Sequence, residues 1–111
     1  MQSIKKFNLN DGTFIRYTEQ GSGQPLLLLH TIRNRLEYSD GLLPYLTKKF
    51  KVYVIDLPGH GDSLINKKTN YDQEFMTHSI VSFIEDLNLK NLTIAGESIG
   101  AVLAATIAKK I

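Results

Sequence analysis

Residues 92–100 have the sequence Leu-Thr-Ile-Ala-Gly-Glu-Ser-Ile-Gly, and this stretch decides the fold. Its apolar start predicts a buried strand, and the alanine-rich residues 101–111 predict a helix. Between them Ser98 is flanked by Gly96 and Gly100, which are needed because side chains there would collide across a sharp bend. Such a turn presents a nucleophilic hydroxyl above a sheet. The alternative is a turn in which Ser98 only caps the helix.

Two more strands are each followed by a polar loop. The four leucines at 26–29 show no polar alternation, which is typical of a central strand buried on both faces. Residues 51–55 predict the next buried strand. Polar residues 30–33 follow the first of these strands, and residues 56–63 (Asp-Leu-Pro-Gly-His-Gly-Asp-Ser) follow the second. Because the carboxyl ends of parallel strands meet at one edge, we expect both loops to converge on the serine turn.

The N-terminal segment predicts an antiparallel hairpin. Residues 3–9 and 13–19 alternate, and Asn10-Asp11-Gly12 between them is a typical hairpin turn. The resulting element order, β-β-β-α-β-α-β-α, predicts a hairpin that leads into a parallel sheet with crossover helices.

Two helices are expected between the later strands. The first extends from about residue 39 to residue 50, with Pro44 inside it, so it is kinked or starts late. The second begins at Asp72, a good N-cap, and ends near Leu87. It is the clearest amphipathic helix of the chain, with apolar residues on one face at 76, 80, 83, 84 and 87.

Composition limits the class of protein. The chain has 111 residues, no cysteine and a formal net charge of +2, which argues against disulfides, thiolate metal sites, nucleic acid and anionic membranes. The N-terminus lacks a signal-peptide core, and the longest apolar run is far too short for a membrane span. We expect one domain over residues 1–111, or part of one, in the cytoplasm.

The motifs together resemble the α/β-hydrolase superfamily over nearly the whole chain. The initial hairpin, the loop that begins with His30, the Asp-Leu-Pro-Gly-His-Gly-Asp-Ser loop and the Gly-x-Ser-x-Gly turn occur in the order of that superfamily. The resemblance implies a three-layer α/β/α fold, here the N-terminal portion of the sheet, with strand order 1-2-4-3-5. The last strand would then be an exposed apolar edge through which the chain could self-associate.

The resemblance also assigns the site. It implies that Ser98 is the nucleophile and that the backbone N–H groups of Ile99 and Ile32 form the oxyanion hole. A serine at this position favours ester hydrolysis through an acyl-enzyme, with a small ester-type substrate and no metal or organic cofactor.

The loop after the third strand supplies the expected substrate-side residues His30, Thr31 and Arg33. The family usually has glycine where this chain has Thr31. The resemblance gives His30 and His60 loop-bracing roles rather than that of a general base. Arg33, with Arg35, could clamp a substrate carboxylate or phosphate, or could simply keep the loop soluble.

The remaining members of a triad are expected elsewhere. In the superfamily an Asp or Glu and then a His follow the serine, but residues 99–111 contain neither. We therefore expect this chain to be an incomplete domain that is inactive alone. The alternatives are a non-catalytic module that binds a ligand or a partner, with Ser98 as a relic, or a truncated gene product.

Overall fold

The computed structural model describes residues 4–30, 37, 40–60, 66 and 68–110. Its elements, in chain order, are β1 (Ile4–Asn8), β2 (Phe14–Gln20), β3 (Gln24–Leu29), α1 (Leu43–Leu46), β4 (Phe50–Ile55), α2 (Gln73–Asp86), β5 (Thr93–Gly96) and α3 (Ile99–Lys110). This is the predicted order.

The strands form one mixed sheet in the order β1-β2-β4-β3-β5. β1 pairs antiparallel with β2, and β2 pairs antiparallel with β4. β3 lies parallel to β4 on one side and to β5 on the other. The prediction of a hairpin leading into parallel strands is confirmed, and β5 lies at the edge of the sheet. β3 and β5 consequently end side by side, with Leu29 opposite Gly96.

The turn between β1 and β2 is fastened to the loop that precedes α2. Gly12 has a φ of 86°, which glycine adopts without the penalty that other residues pay. The Asp11 carboxylate accepts hydrogen bonds from the backbone and hydroxyl of Thr13, and from the hydroxyl of Thr69 at 2.7 Å. The Asn66 side-chain amide donates to the Asp11 carbonyl at 3.0 Å. The hairpin thus holds one end of the long loop that follows β4.

The leucines of β3 separate two cores, as their sequence predicts. Leu27 and Leu29 pack on the face that α2 and α3 cover, whereas Leu26 and Leu28 pack on the other face with Leu43 of α1. All four side chains are buried. The three-layer α/β/α architecture is therefore present. Its layers are unequal, because two long helices cover one face and the single-turn α1 packs on the other.

The helix expected from about residue 39 to residue 50 is wrong in length, because α1 is a single turn. Pro44 lies in that turn, where the N–H that proline lacks would have no acceptor inside the helix. The Thr47 hydroxyl and backbone N–H both donate to the Leu43 carbonyl, at 2.8 and 2.9 Å. The N–H bond is the usual helical bond and the hydroxyl bond is added to it, so the helix ends here because β4 already begins at Phe50.

The amphipathic helix is confirmed in α2. Asp72 caps it by accepting a hydrogen bond from the Phe75 backbone N–H at 2.8 Å. Its apolar face is buried at residues 76, 80, 83 and 84. Phe83, fully buried at the centre, makes edge-to-face contacts with Phe7, Tyr17 and Tyr53. None of the helices in the described ranges is long and apolar enough to cross a membrane.

Candidate active site

Ser98 occupies the two-residue turn that joins β5 to α3. Its φ is 57°, in the left-handed region that side chains other than glycine seldom adopt. Its carbonyl accepts hydrogen bonds from the N–H groups of Ala101 and Val102, at 2.9 and 3.2 Å, so the helix begins immediately after the turn. The residue is exposed. The sequence therefore folds locally as the strand, sharp turn and helix that the motif predicts, with Ser98 at the apex.

Both glycines of the turn are required by their surroundings. A Cβ on Gly96 would overlap the carbonyl group of Gly100 and lie 2.7 Å from the Ala101 nitrogen. A Cβ on Gly100 would lie 2.6 Å from the Leu29 oxygen and 2.9 Å from the His30 oxygen. Each obstacle is backbone, which cannot move aside as a side-chain tip can. The Gly-x-Ser-x-Gly pattern therefore has a steric cause in this fold.

The first turn of α3 can supply one half of an oxyanion hole. Ile99 is the first residue of that helix, so its N–H is among those that a helix leaves without an internal acceptor. The helix dipole adds partial positive charge at the same end. The expected second donor, Ile32, lies outside the described residues, as do Thr31, Arg33 and Arg35.

The loops after β3 and β4 converge beside this turn. His30, the first residue after β3, is buried, and its Nε2 accepts a hydrogen bond from the Leu57 N–H at 2.9 Å. The His30 and His60 rings lie 5.6 Å apart. Gly100 packs against the His30 carbonyl, so the turn at Ser98 joins the same cluster. The three segments meet at one edge of the sheet.

A small cleft opens next to the serine turn. It has a volume of about 180 Å³ and lies between the ends of β3 and β5, with Leu42 and Glu97 at its sides. Leu28, Leu29 and Ala95 supply its apolar surface. It can accept a short apolar group, and His30 and Glu97 are the ionisable residues of its lining.

No base is paired with the serine in the part of the chain that the structure describes. The Ser98 hydroxyl has no hydrogen-bond partner among those residues. His60 donates from Nδ1 to the Pro58 carbonyl at 3.1 Å. His78 is exposed on α2, with its Nε2 3.9 Å from Glu74. These contacts, with that of His30 to Leu57, are loop and surface interactions. Likewise, the described residues contain no group of three or more His, Cys, Asp or Glu side chains that could hold a metal ion.

An ion-pair cluster around the buried Arg16 is not predicted by the sequence patterns. Arg16 of β2 donates from Nε to Asp56 Oδ2 and from Nη2 to Glu37 Oε1, each at 2.7 Å. Arg16 is 6% exposed, and Asp56 is fully buried. Burial acts to lower the pKa of the guanidinium, but the bonds to Asp56 and Glu37 raise the pKa above its usual value. An arginine at the centre of a predicted strand is the only signal that the sequence offers for this cluster.

Comparison with known proteins adds to this geometry. A family model described as alpha/beta hydrolase fold matches residues 24–111. The chain is 32% identical over 99 residues to (E)-2-((N-methylformamido)methylene)succinate hydrolase of Acinetobacter baylyi, covering 89% of this chain and 37% of that protein. It is 25% identical to the pimeloyl-[acyl-carrier protein] methyl ester esterase of Aeromonas hydrophila, covering 79% and 33%.

Among solved structures, a bacterial membrane phospholipase A superposes with a TM-score of 0.89 at 28% identity, over 96% of this chain and 35% of that one. The chain thus spans about a third of the length of these proteins.

Proposed function

Because the chain belongs to the alpha/beta hydrolase family, we propose that it is the N-terminal part of a serine hydrolase that cleaves carboxylic esters. The observation that carries this proposal is the backbone of Ser98, held at a φ of 57° at the apex of a turn whose flanking glycines admit no side chain. Strain of this kind is kept where the surrounding structure enforces it, and such positions cluster at functional sites.

In the proposed reaction the Ser98 hydroxyl attacks the ester carbonyl. A general base takes the hydroxyl proton, and the carbonyl oxygen becomes an oxyanion that the N–H groups of Ile99 and Ile32 stabilise. Collapse of this tetrahedral intermediate expels the alcohol, which receives the proton, and leaves an acyl group on Ser98. Water, deprotonated by the same base, then attacks the acyl-enzyme. The bond between the acyl carbon and Oγ of Ser98 breaks, Oγ takes the proton back from the base, and the carboxylic acid is released.

The base and its orienting acid are proposed to belong to residues outside this sequence. Residues 99–111 contain no acid and no histidine. Within the described residues, the rings of His30 and His60 bind backbone groups of the loop after β4. The chain spans about a third of the relatives that it matches. The rest of a relative's length is sufficient to carry the two missing triad members.

An anionic substrate is proposed on the basis of Arg33. The Acinetobacter baylyi relative is named for hydrolysis of a succinate derivative, a substrate class that carries carboxylates. A guanidinium in the loop after β3 could bind such a group bidentately. In the complete enzyme, Arg33→Met should raise KM for anionic esters and leave KM for neutral esters unchanged. Equal effects on both ester classes would contradict this assignment.

A fluorophosphonate probe tests the nucleophile directly, because it reacts with activated serines. We expect no labelling of the 111-residue chain and stoichiometric labelling of the complete gene product, with the adduct mapped to Ser98 by mass spectrometry. Ser98→Ala should abolish labelling. An adduct on another residue, or one that persists in Ser98→Ala, would contradict the proposal.

A second candidate is a non-catalytic module that uses the same cleft to bind an ester or acid. It is favoured by one observation: in the described part of the chain the Ser98 hydroxyl has no hydrogen-bond partner. This candidate predicts that the complete gene product does not react with the probe, whereas it binds a non-hydrolysable ester analogue with equal affinity before and after Ser98→Ala.

A further inference from the structure

Arg16 connects the two loops that converge on the serine turn. Its guanidinium uses two different nitrogens for two different partners, Asp56 at the start of the loop after β4 and Glu37 in the loop after β3. The backbone adds a third link, because the Asp56 N–H donates to the Arg16 carbonyl at 2.9 Å. These partners are 40 and 21 residues away along the chain. One side chain of β2 therefore links Asp56 and Glu37 to the sheet.

Stability alone is a poor reason for this cluster. Burying an ion pair costs desolvation that its Coulomb attraction often only repays, so an apolar residue of similar volume is frequently as stabilising. Arg16 is 6% exposed and Asp56 is fully buried, so both bear that cost. What an apolar residue cannot do is hold two carboxylates in fixed directions. The cluster thus specifies an arrangement of loops.

A series of contacts connects Arg16 to the turn that carries Ser98. Asp56 is followed by Leu57, whose N–H donates to Nε2 of His30 at 2.9 Å. The His30 carbonyl in turn faces Gly100, where a Cβ would come within 2.9 Å of it. Arg16 is thus connected to the first turn of α3 through Asp56, Leu57 and His30.

We propose that Arg16 is a positioning residue for the chemistry of Ser98: it holds the loop after β3 through Glu37 and the loop after β4 through Asp56. This inference rests on the proposed function, since it assigns Arg16 a role in that reaction. Arg16 itself touches no reacting atom. Its effect passes through His30, which lies between the loop after β4 and the serine turn.

The proposal explains why the residue is an arginine. A guanidinium donates in a rigid fork, so Nε and Nη2 can bind two carboxylates in different loops at once, whereas a lysine ammonium is a single point charge. Lysine at this position should retain the positive charge and the ion pair with buried Asp56 but lose the hydrogen bond to Glu37. Arg16→Lys therefore separates charge from geometry, and Glu37→Gln removes the charge of one arm, because an amide oxygen accepts only a weaker, neutral hydrogen bond.

Nuclear magnetic resonance of the ¹⁵N-labelled complete gene product tests the coupling without any need for activity. The readouts are the His30 ring ¹⁵N shifts, which report that Nε2 accepts a hydrogen bond, and hydrogen exchange of the Leu57 amide. We expect Arg16→Lys and Glu37→Gln to shift the ring signals and to speed Leu57 exchange by about ten-fold. Lys5→Met, which breaks the exposed ion pair between Lys5 and Glu19, is the matched control and should change neither.

Arg16→Met is the stronger variant but removes the Arg16 ion pair from the fully buried Asp56, so it can unfold the chain. Arg16→Lys and Glu37→Gln keep the test decisive in that case. If the His30 signals and Leu57 exchange are the same as in the wild type in both folded variants, Arg16 does not position the loops and the proposal is wrong.

The complete gene product supplies the second readout, the rate at which a fluorophosphonate inactivates Ser98. We expect Arg16→Lys and Glu37→Gln to lower this rate by about ten-fold, with little change in melting temperature for Glu37→Gln. An unchanged rate despite altered His30 signals would refute the positioning role and leave the nucleophile intact. A wild type that does not react at all would instead refute the proposed function, and the resonance experiment would still decide the coupling.

Discussion

Gly100 packs so tightly against the end of β3 that a Cβ on it would lie 2.6 Å from the carbonyl oxygen of Leu29. This approach seats the first turn of α3 on the sheet, one residue beyond Ile99 and two beyond Ser98. The geometry of the turn therefore requires glycine at position 100.

Gly100→Ala should therefore destabilise the fold by about 1–3 kcal/mol, because the obstructing atoms are backbone and the cost is that of overpacking. Chemical denaturation measures the difference. Gly41→Ala is the matched control, since a Cβ there meets nothing within 4 Å, and its effect should stay within about 0.5 kcal/mol. Equal stability of the two variants would show that the turn can relax.

The strained backbone of Ser98 predicts that two substitutions which both remove the hydroxyl will differ in stability. Glycine adopts a φ of 57° freely, whereas alanine keeps the penalty of about 1 kcal/mol for the left-handed region. Ser98→Gly should thus have a higher denaturation midpoint than Ser98→Ala. If Ser98→Gly is the less stable of the two, the strain inferred from this φ is not stored in the folded protein.

Acid should weaken the fastening of the β1–β2 turn. Burial acts to raise the pKa of Asp11, but hydrogen bonds from Thr13 and Thr69 outweigh it, so the pKa lies below its usual value of 3.8. A carboxyl whose pKa is lower in the folded than in the unfolded state stabilises the fold at higher pH. This contribution is complete above about pH 5 and is lost as the pH falls below 3.8 towards the folded value.

Asp11→Asn tests this by urea denaturation at several pH values. The variant should be less stable than the wild type at neutral pH, and the difference should shrink in acid. Thr69→Val removes one of the donors and should reduce the same pH dependence in part. A wild type and Asp11→Asn whose stabilities fall in parallel throughout the acid range would rule out Asp11 as the source.

The two edges of the sheet predict different behaviour in solution. β1 carries Lys5 and Lys6, charges of the kind that protect edge strands from pairing, whereas the four residues of β5 carry none. We expect the 111-residue chain to self-associate through β5. Sedimentation velocity should show a shift towards monomer in Thr93→Lys, because Thr93 is an exposed residue of that edge.

Ile4→Lys, at an exposed position on β1, is the control for added charge and should leave the association unchanged. A wild-type chain that sediments as a single monomeric species over a wide range of concentration would contradict the prediction. Equal effects of Thr93→Lys and Ile4→Lys would indicate general charge repulsion rather than pairing at β5.

Most of the fold follows from local sequence signals. The Asn10-Asp11-Gly12 turn, the unbroken leucines of β3 and the apolar face of α2 each specify their structure without reference to distant residues. α1 is the exception. The spacing of its leucines indicates a long helix, but the start of β4 at Phe50 confines it to one turn. The helical spacing of apolar residues does not show where a following strand will end the helix.

The candidate site also has one part that the local sequence predicts and one part that it does not. The turn around Ser98 could be predicted because two glycines and a serine at fixed spacing have a steric meaning. The Arg16 cluster could not, since its partners are 40 and 21 residues away and alternation normally sends an arginine to solvent. β2 lies inside the sheet, between β1 and β4, and consecutive residues 15–18 are all buried. Only the assembled sheet shows which charges face each other.

The strand order also affects how the chain can fold as it leaves the ribosome. β3 is flanked by β4 and β5, both of which are made after it. Domains tend to fold as units from the N-terminal end during translation, but among the five strands of the described residues only β1 and β2 can pair before β4 has been made. β3 can pair along one edge only after β4 has been made, and along its other edge only after β5 has been made. One edge of the four-leucine strand therefore stays unpaired until residue 96 has been made, so its apolar surface is open to wrong contacts for most of the synthesis of this sequence.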